Sequence, residues 1–243
     1  MENGVRLNRY LALCGVGARR KVEDVISGGR VRVDGKVVLL PSYRVAAGMT
    51  VLVDGRQVEP QEMKYLVMNK PAGRVCSVSD RFDPTVLELL PGEYGRFRLF
   101  PVGRLDRESE GLLILTNDGG FAQEVMHPSR RILKEYEVLL DREISRREVR
   151  GWMAGVESEG RLLRPVNVLV MEGKDPPGRW VSVVLAEGVK REIRHMAAGL
   201  GFEVRALFRR RVGKMELRYL KPGEWADLPR AFIWKAIRSG GMV

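Results

Sequence analysis

The clearest pattern in the chain is a nearly uninterrupted apolar run, Leu112-Leu-Ile-Leu-Thr116, which predicts a strand buried on both faces. The segment 98–102 before it predicts extended chain, and the turn-forming residues 117–120 end it. Between the two apolar segments lies the polar stretch Gly103-Arg-Leu-Asp-Arg-Glu-Ser109, which we expect to be a loop held at both ends by the core.

Asp106 in this loop is a candidate reactive carboxylate, because such groups often lie on loops that a rigid scaffold positions. The alternative is a structural aspartate that caps its own turn or pairs with Arg104 or Arg107. The rest of the chain has to decide between these interpretations.

The hydrophobic pattern of the first sixty residues predicts two short helices and two hairpins. Apolar residues recur at helical spacing over 7–14 and 22–26, and glycines follow both segments. Alternating apolar and polar residues over 30–38 and 51–58 predict hairpins. We therefore expect residues 1–62 to form a small α+β module.

The segment Glu59-Pro-Gln-Glu-Met-Lys64 is polar and contains proline, which predicts a linker to a second domain over residues 63–243. In this second domain the pattern predicts strands over 65–69, 135–140 and 180–186, helices over 121–126, 145–155 and 190–199, and mainly extended chain over 204–217. This order predicts a mixed sheet flanked by helices, so the expected fold class is α+β.

Composition places the chain of 243 residues among ordinary globular proteins, with 44% hydrophobic and 30% charged residues. No apolar run is long enough to cross a membrane, and the N-terminus lacks a secretory signal pattern, so we expect a cytoplasmic protein. Cys14 and Cys76, like His127 and His195, follow no metal or redox spacing, so we expect reduced thiols and no metal site.

The net positive charge of the chain is the global property that says most about its binding partner. The formal net charge is +11 and the sequence pI is about 10.0. The excess lies in two segments, because residues 5–36 carry a net charge of +5 and residues 189–218 a net charge of +6. Two basic segments predict a large polyanion bound in two places, whereas the alternative is a pair of solvated faces.

The first module resembles the S4 RNA-binding domain over roughly residues 5–52. The resemblance rests on three segments, Arg6-Leu-Asn-Arg-Tyr-Leu-Ala12, Gly17-Ala-Arg-Arg-Lys21 and Gly29-Arg-Val-Arg-Val-Asp-Gly-Lys-Val-Val38. It implies that four side chains contact the RNA backbone, namely Arg9, Arg19, Arg20 and Lys21. Ala18 stands where the family usually has a serine that would cap the second helix.

Roughly residues 65–228 resemble the ribosomal RNA pseudouridine synthases of the RsuA and RluB type. The motifs that carry the resemblance are Asn69-Lys-Pro-Ala-Gly73, the block from Gly103 to Gly119, Lys134-Glu-Tyr136 and Glu187-Gly-Val-Lys-Arg-Glu-Ile-Arg-His-Met196. The resemblance implies a mixed, largely antiparallel sheet flanked by helices. It also implies an isomerase that converts a uridine of ribosomal RNA into pseudouridine.

The resemblance also implies roles for individual residues. Asp106 would act at the sugar, as nucleophile or as base, and Arg194 would pair with it and keep it ionised and oriented. Tyr136 would stack on the uracil, and Ile193 would pack against the base from another side. Arg104 would enter the space that the flipped uridine leaves in the RNA.

Lys70 and the three arginines Arg209, Arg210 and Arg211 are expected to contact phosphates, although consecutive residues of a strand alternate faces and not all three arginines can do so. The structural alternatives are an exposed helix arginine for Arg194, a core tyrosine for Tyr136 and a local salt bridge for Arg104. Isomerisation gains no atom and moves no electron, so no cofactor is expected.

The alternatives at the level of function are a non-enzymatic ribosome-associated RNA-binding protein and an RNA glycosylase that would use Asp106. The stretch Met126-His-Pro-Ser-Arg130 resembles the branch that acts on large-subunit RNA more than the small-subunit branch. We therefore expect a single target uridine in large-subunit ribosomal RNA, in a loop or an opened stem, and a monomeric enzyme.

Overall fold

A computed structural model describes residues 4–243, and these residues form two compact units. The first unit runs to Met63 and also includes Gly92–Arg98, whereas the second comprises Lys64–Pro91 and Leu99–Val243. Each unit has a hydrophobic core of its own. The sequence pattern did not predict that Gly92–Arg98 belongs with the first unit, where the Gln61 Nε2 donates a hydrogen bond to the Arg96 carbonyl oxygen at 2.8 Å.

The first unit has the two predicted helices and a small sheet. Its elements are β1 (Val5–Arg6), α1 (Leu7–Leu13), α2 (Arg19–Ser27), β2 (Val31–Val33), β3 (Lys36–Val37), β4 (Arg44–Val45), β5 (Val51–Val53) and β6 (Arg56–Gln57). Strands β3-β2-β5-β6 form a sheet in that order, and β1 pairs with β4. Ala18 lies at the N-cap of α2 without a side-chain cap, as the sequence predicts, so the first turn of this helix lacks a stabilising hydrogen bond.

The second unit is built on a ten-stranded sheet. The strands of the unit as a whole are β7 (Tyr65–Lys70), β8 (Phe100–Pro101), β9 (Glu110–Thr116), β10 (Lys134–Leu140), β11 (Val156–Ser158), β12 (Arg161–Leu163), β13 (Asn167–Val170), β14 (Trp180–Leu185), β15 (Val204–Val212), β16 (Met215–Glu216), β17 (Trp225–Asp227) and β18 (Gly241–Met242). Its helices are α3 (Gly119–Met126), α4 (Arg146–Ala154), α5 (Glu192–Gly199) and α6 (Arg230–Ser239).

The central strand order is β13-β14-β10-β15-β9-β7-β17, with β8 paired to β9, β16 to β15, and β18 to β16. Neighbouring strands run antiparallel except for the pairs β9/β15 and β16/β18, which are parallel. Strands β11 and β12 form a separate hairpin. The predicted α+β class with a mixed, mostly antiparallel sheet is confirmed.

Local sequence explains the elements that hold the site. Strand β9 is buried at each residue after Glu110, which confirms the prediction of a strand covered on both faces. Strand β10 alternates, so that Tyr136 and every second residue after it face the core. The Asp118 side chain caps α3, and Ser145 with Glu148 forms a capping box at the start of α4.

Helix α5 begins at Glu192 and not at Lys190, so the predicted start is wrong. The reason is the backbone of Arg191, whose φ of +53° lies in the left-handed region and interrupts the helical path. Helix α6 and the β11–β12 hairpin were not anticipated from the sequence.

The helices of the described residues are short, and α6 has ten residues. None of the helices among residues 4–243 is long and apolar enough to cross a bilayer. Cys14 and Cys76 are free thiols. Within the same residues no group of three or more His, Cys, Asp or Glu side chains is placed to hold a metal ion.

Candidate active site

The loop that carries Asp106 connects β8 to β9 and is fastened to the core. At its start the Val102 amide donates to the Ile114 carbonyl oxygen at 2.8 Å, and Gly103 adopts a φ of +77°. Leu105 is buried in the core cluster, and its amide donates to the Cys76 sulfur at 3.4 Å. The side chain of Asp106 remains 26% exposed, so the carboxylate is accessible while the backbone around it is fixed.

Lys70 holds the other end of this loop. Its side chain is fully buried, and its Nζ donates to the carbonyl oxygens of Ser109 at 2.6 Å, Pro71 at 2.9 Å and Arg107 at 3.2 Å. Burial lowers the pKa of the Lys70 ammonium below its ordinary value. The predicted contact between Lys70 and an RNA phosphate is therefore wrong, because the ammonium is used within the protein.

Arg209 is also buried, with 4% of its surface exposed, and its predicted phosphate contact is wrong for the same reason. Its Nε donates to the Leu112 carbonyl oxygen at 2.7 Å, and its Nη1 lies 3.5 Å from the Arg104 carbonyl oxygen. The close approach of β15 to β9 depends on Gly111, where a Cβ atom would lie 2.4 Å from the Arg209 carbonyl oxygen. Gly111 thus allows Arg209 to reach the loop of Asp106.

The next two arginines of β15 are paired with glutamates. Arg210 Nη2 lies 3.1 Å from Glu216 Oε1, and Arg211 Nη1 lies 3.3 Å from Glu135 Oε2. Their charges are balanced within the sheet, so the run of three arginines is mainly structural. Strict alternation would place Arg211 on the same face as Arg209, but the pairing of β10 with β15 is irregular here, because Glu135 pairs with Arg211 whereas Tyr136 pairs with Arg209.

Arg194 lies on α5 and faces Asp106. Its Nε is 3.9 Å from the Asp106 Oδ2, and its Nη1 donates to the Val204 carbonyl oxygen at 3.0 Å. The Nε is buried and has no hydrogen-bond acceptor among the described residues. Its N–H is therefore available for a closer contact with the Asp106 carboxylate. The predicted pairing of Arg194 with Asp106 is present as an ion pair, although the role of that pair in a reaction stays a prediction.

One cleft of about 1240 Å³ brings the predicted residues together. Asp106, Tyr136, Ile193 and Arg104 all line it. Tyr136 and Ile193 are largely buried and form apolar walls, whereas Arg104 is exposed and takes part in none of the ion pairs found among residues 4–243. The structural alternative for Arg104, a local salt bridge, is therefore not seen.

Other groups in the cleft were not singled out from the sequence. Lys134 lies two residues before Tyr136 on β10, and Glu192 precedes Ile193 on α5, so each lies beside a predicted site residue. Burial lowers the pKa of Lys134 and raises that of Glu192, as expected for a cleft whose walls exclude water. The rim adds four cations, which are Arg107, Arg161, Lys190 and Arg191.

The first unit has a basic cleft of its own, with a volume of about 320 Å³. Arg9 and Arg19, both predicted from the sequence, line it together with Arg6 and Arg44. None of these four arginines takes part in the ion pairs found among the described residues. Arg20 and Lys21 are exposed on α2 but lie outside this cleft.

Comparison with known proteins identifies the fold and the family. The family model described as RNA pseudouridylate synthase matches residues 64–199, more than half of the chain, and the model of the S4 domain matches residues 5–51. The chain belongs to the RNA pseudouridine synthase family. The family match covers every residue assigned above to the cleft.

Relatives match this pseudouridine synthase along nearly its whole length. An uncharacterized RNA pseudouridine synthase of Aquifex aeolicus is 33% identical over 98% of this chain and 96% of its own. The ribosomal large subunit pseudouridine synthase B of Salmonella typhimurium is 34% identical over 93% of this chain and 80% of its own. A crystal structure of a pseudouridylate synthase, 24% identical, covers 96% of this chain and 99% of its own with a TM-score of 0.68, which shows the same fold.

Proposed function

We propose that this RNA pseudouridine synthase converts a single uridine of large-subunit ribosomal RNA into pseudouridine, with Asp106 as the catalytic carboxylate. The observation that carries the proposal is the cleft in which Asp106, paired with Arg194, lies with Tyr136 and Ile193. Binding alone does not require a carboxylate in a basic cleft, since a carboxylate repels phosphates. An enzyme that acts on the sugar of a nucleotide does require one.

The reaction breaks the bond between N1 of the uracil and C1′ of the ribose, turns the base, and joins C5 to C1′. The proton on C5 is lost and N1 gains a proton, so the composition of the RNA is unchanged. Asp106 acts at the sugar, either by attacking C1′ or by removing a proton from the ribose. Arg194 orients the Asp106 carboxylate, and the buried Lys70 and Arg209 fix the loop on which it lies.

Tyr136 and Ile193 hold the uracil after the N1–C1′ bond has broken, because two largely buried side chains from different elements can contact a flat ring on two sides. A uridine within folded RNA has to be flipped into the cleft before it can react. Arg104 is exposed at the cleft, and it occupies the place in the RNA that the flipped base leaves.

Two observations support large-subunit RNA as the substrate. Met126 and Pro128, which belong to the segment that resembles the large-subunit branch, line the cleft and so help to shape its rim. A relative that is 34% identical over most of this chain is a ribosomal large subunit pseudouridine synthase.

The first unit binds the same RNA through Arg9, Arg19, Arg20 and Lys21. The enzyme acts as a monomer in the cytoplasm without a cofactor.

The experiment that tests this function is pseudouridine mapping of both ribosomal RNAs from cells with and without the gene. We expect one pseudouridine to be missing from the large-subunit RNA of the deletion strain and to return when purified protein acts on that RNA. A site missing only from the small-subunit RNA would contradict the choice of substrate. Release of free uracil from the RNA would instead indicate hydrolysis.

A further inference from the structure

Helix α6 presents a basic surface that the catalytic cleft does not use. Arg230, Lys235 and Arg238 line a shallow cleft of about 470 Å³ together with Trp234, and the helix contains no acidic residue. It lies beyond residue 199, where the match to the pseudouridine synthase family ends.

The three cations of α6 differ in what they contact. Arg230 is held by two carboxylates, because its Nη2 lies 3.2 Å from Glu124 Oε2 and its Nε lies 3.8 Å from Asp118 Oδ2. It therefore anchors α6 to α3. Lys235 and Arg238 are exposed and take part in none of the ion pairs found among residues 4–243, so their charges are not balanced locally.

Trp234 fixes the position of one of these free charges. Its ring packs edge-on against Phe121 of α3 with 5.8 Å between centroids, and the Arg238 guanidinium lies 4.6 Å from the centroid of the Trp234 ring. A guanidinium stacked on an aromatic ring keeps its N–H groups free for a phosphate while it loses part of its conformational freedom. Arg238 is thus partly ordered before any ligand arrives.

Helix α3 connects this surface to the catalytic cleft. Phe121 and Glu124 contact α6, whereas Met126 at the end of the same helix and Pro128 after it line the cleft. Eight helical residues span about 12 Å, so the α6 surface lies within a short distance of the cleft rim. A structured RNA whose target uridine occupies the cleft extends beyond this distance on either side.

We propose that the exposed face of α6, formed by Lys235, Arg238 and Trp234, binds the phosphate backbone of the substrate RNA outside the catalytic cleft. The inference rests on the proposed RNA substrate. It adds a second contact surface within the catalytic unit, so that the RNA is held beside the reacting nucleotide as well as by the first unit.

The test compares two double variants that each remove two positive charges. Lys235→Gln/Arg238→Gln changes the α6 surface, and Arg147→Gln/Arg150→Gln changes two exposed arginines of α4 that do not line the catalytic cleft. The affinity of the full-length protein for a large-subunit ribosomal RNA transcript is measured over a range of salt concentrations. Pseudouridine formation at saturating protein and thermal unfolding are measured for the same samples.

We expect the slope of log K against log salt to become shallower by about 1.4–1.8 for the α6 variant, because each lost phosphate contact contributes about 0.7–0.9. The α4 variant should keep the slope of the wild type, and both variants should keep the rate at saturation and the unfolding temperature. Equal slopes for the two variants would overturn the α6 assignment. Failure of the wild type to form pseudouridine in the transcript would instead count against the proposed function, independently of the slopes.

Discussion

A buried pair of cations in the second unit and an exposed pair in the first unit serve opposite purposes. In the second unit, Lys70 and Arg209 are buried and donate to backbone carbonyls around the loop of Asp106. In the first unit, Arg9 and Arg19 are exposed in a basic cleft and belong to none of the ion pairs found among the described residues. The sequence gives little hint of this difference, because all four are basic residues in a strongly basic protein.

The comparison shows that burial decides what a positive charge can do. Moving an ammonium or guanidinium group out of water is unfavourable. Such a group stays charged in the interior only where oriented dipoles or counter-charges compensate the lost hydration. A cation bound in this way fixes the chain segments whose carbonyls it contacts, and it is no longer available to bind a ligand. An exposed arginine remains free to exchange its counterions for phosphates.

The largest expected effect concerns the buried cation. Lys70→Met removes the donor to three carbonyl oxygens and should lower the free energy of unfolding by about 2–3 kcal/mol, because buried acceptors lose their partner. Thermal or denaturant unfolding measures this loss. Lys221→Met, at an exposed lysine of the same unit, is the matched control and should change stability little.

A stability of Lys70→Met equal to that of the control would mean that the three carbonyl contacts contribute nothing to the fold. The salt dependence of RNA binding should be the same in both variants. A shallower slope for Lys70→Met alone would break the comparison, since it would return Lys70 to the role of a phosphate ligand.

A smaller effect is expected for the exposed cations. Arg9→Gln/Arg19→Gln should leave unfolding unchanged and make the slope of log K against log salt shallower by about 1.4–1.8, provided that each arginine contacts one phosphate. Lys36→Gln/Arg56→Gln removes two exposed charges of the same unit outside the basic cleft and is the control. Identical slopes for the two double variants would show that the arginine cleft is only a solvated surface.

Local patterns predicted the scaffold well. The apolar run of β9 and the helix that follows Asp118 depend on neighbouring residues only, and both are present in the structure, where Asp118 caps α3. Interactions across the chain were harder to predict. Lys70 lies before a proline in a turn-like segment, and its burial depends on carbonyl groups of Arg107 and Ser109, nearly forty residues away.

The candidate site was predictable to the extent that it follows motifs. Asp106 was singled out from the loop that carries it, whereas the partnership of Arg194 came from the resemblance and not from spacing. Arg161 reaches the cleft from the β11–β12 hairpin, and Lys134 reaches it through the alternation of β10. The place of Lys134 in the cleft could have been predicted, because residues 134 and 136 of a strand share a face.

The measurement that tests the account most directly is the turnover of Asp106→Asn on the RNA that the wild type modifies. The variant keeps the size of the side chain and a hydrogen-bonding oxygen but lacks the negative charge that the sugar chemistry requires. Pseudouridine is quantified after prolonged incubation, and binding of the same RNA is measured in parallel. We predict no detectable pseudouridine and an affinity within a few fold of the wild type, whereas measurable turnover by the purified variant would contradict the assignment of Asp106.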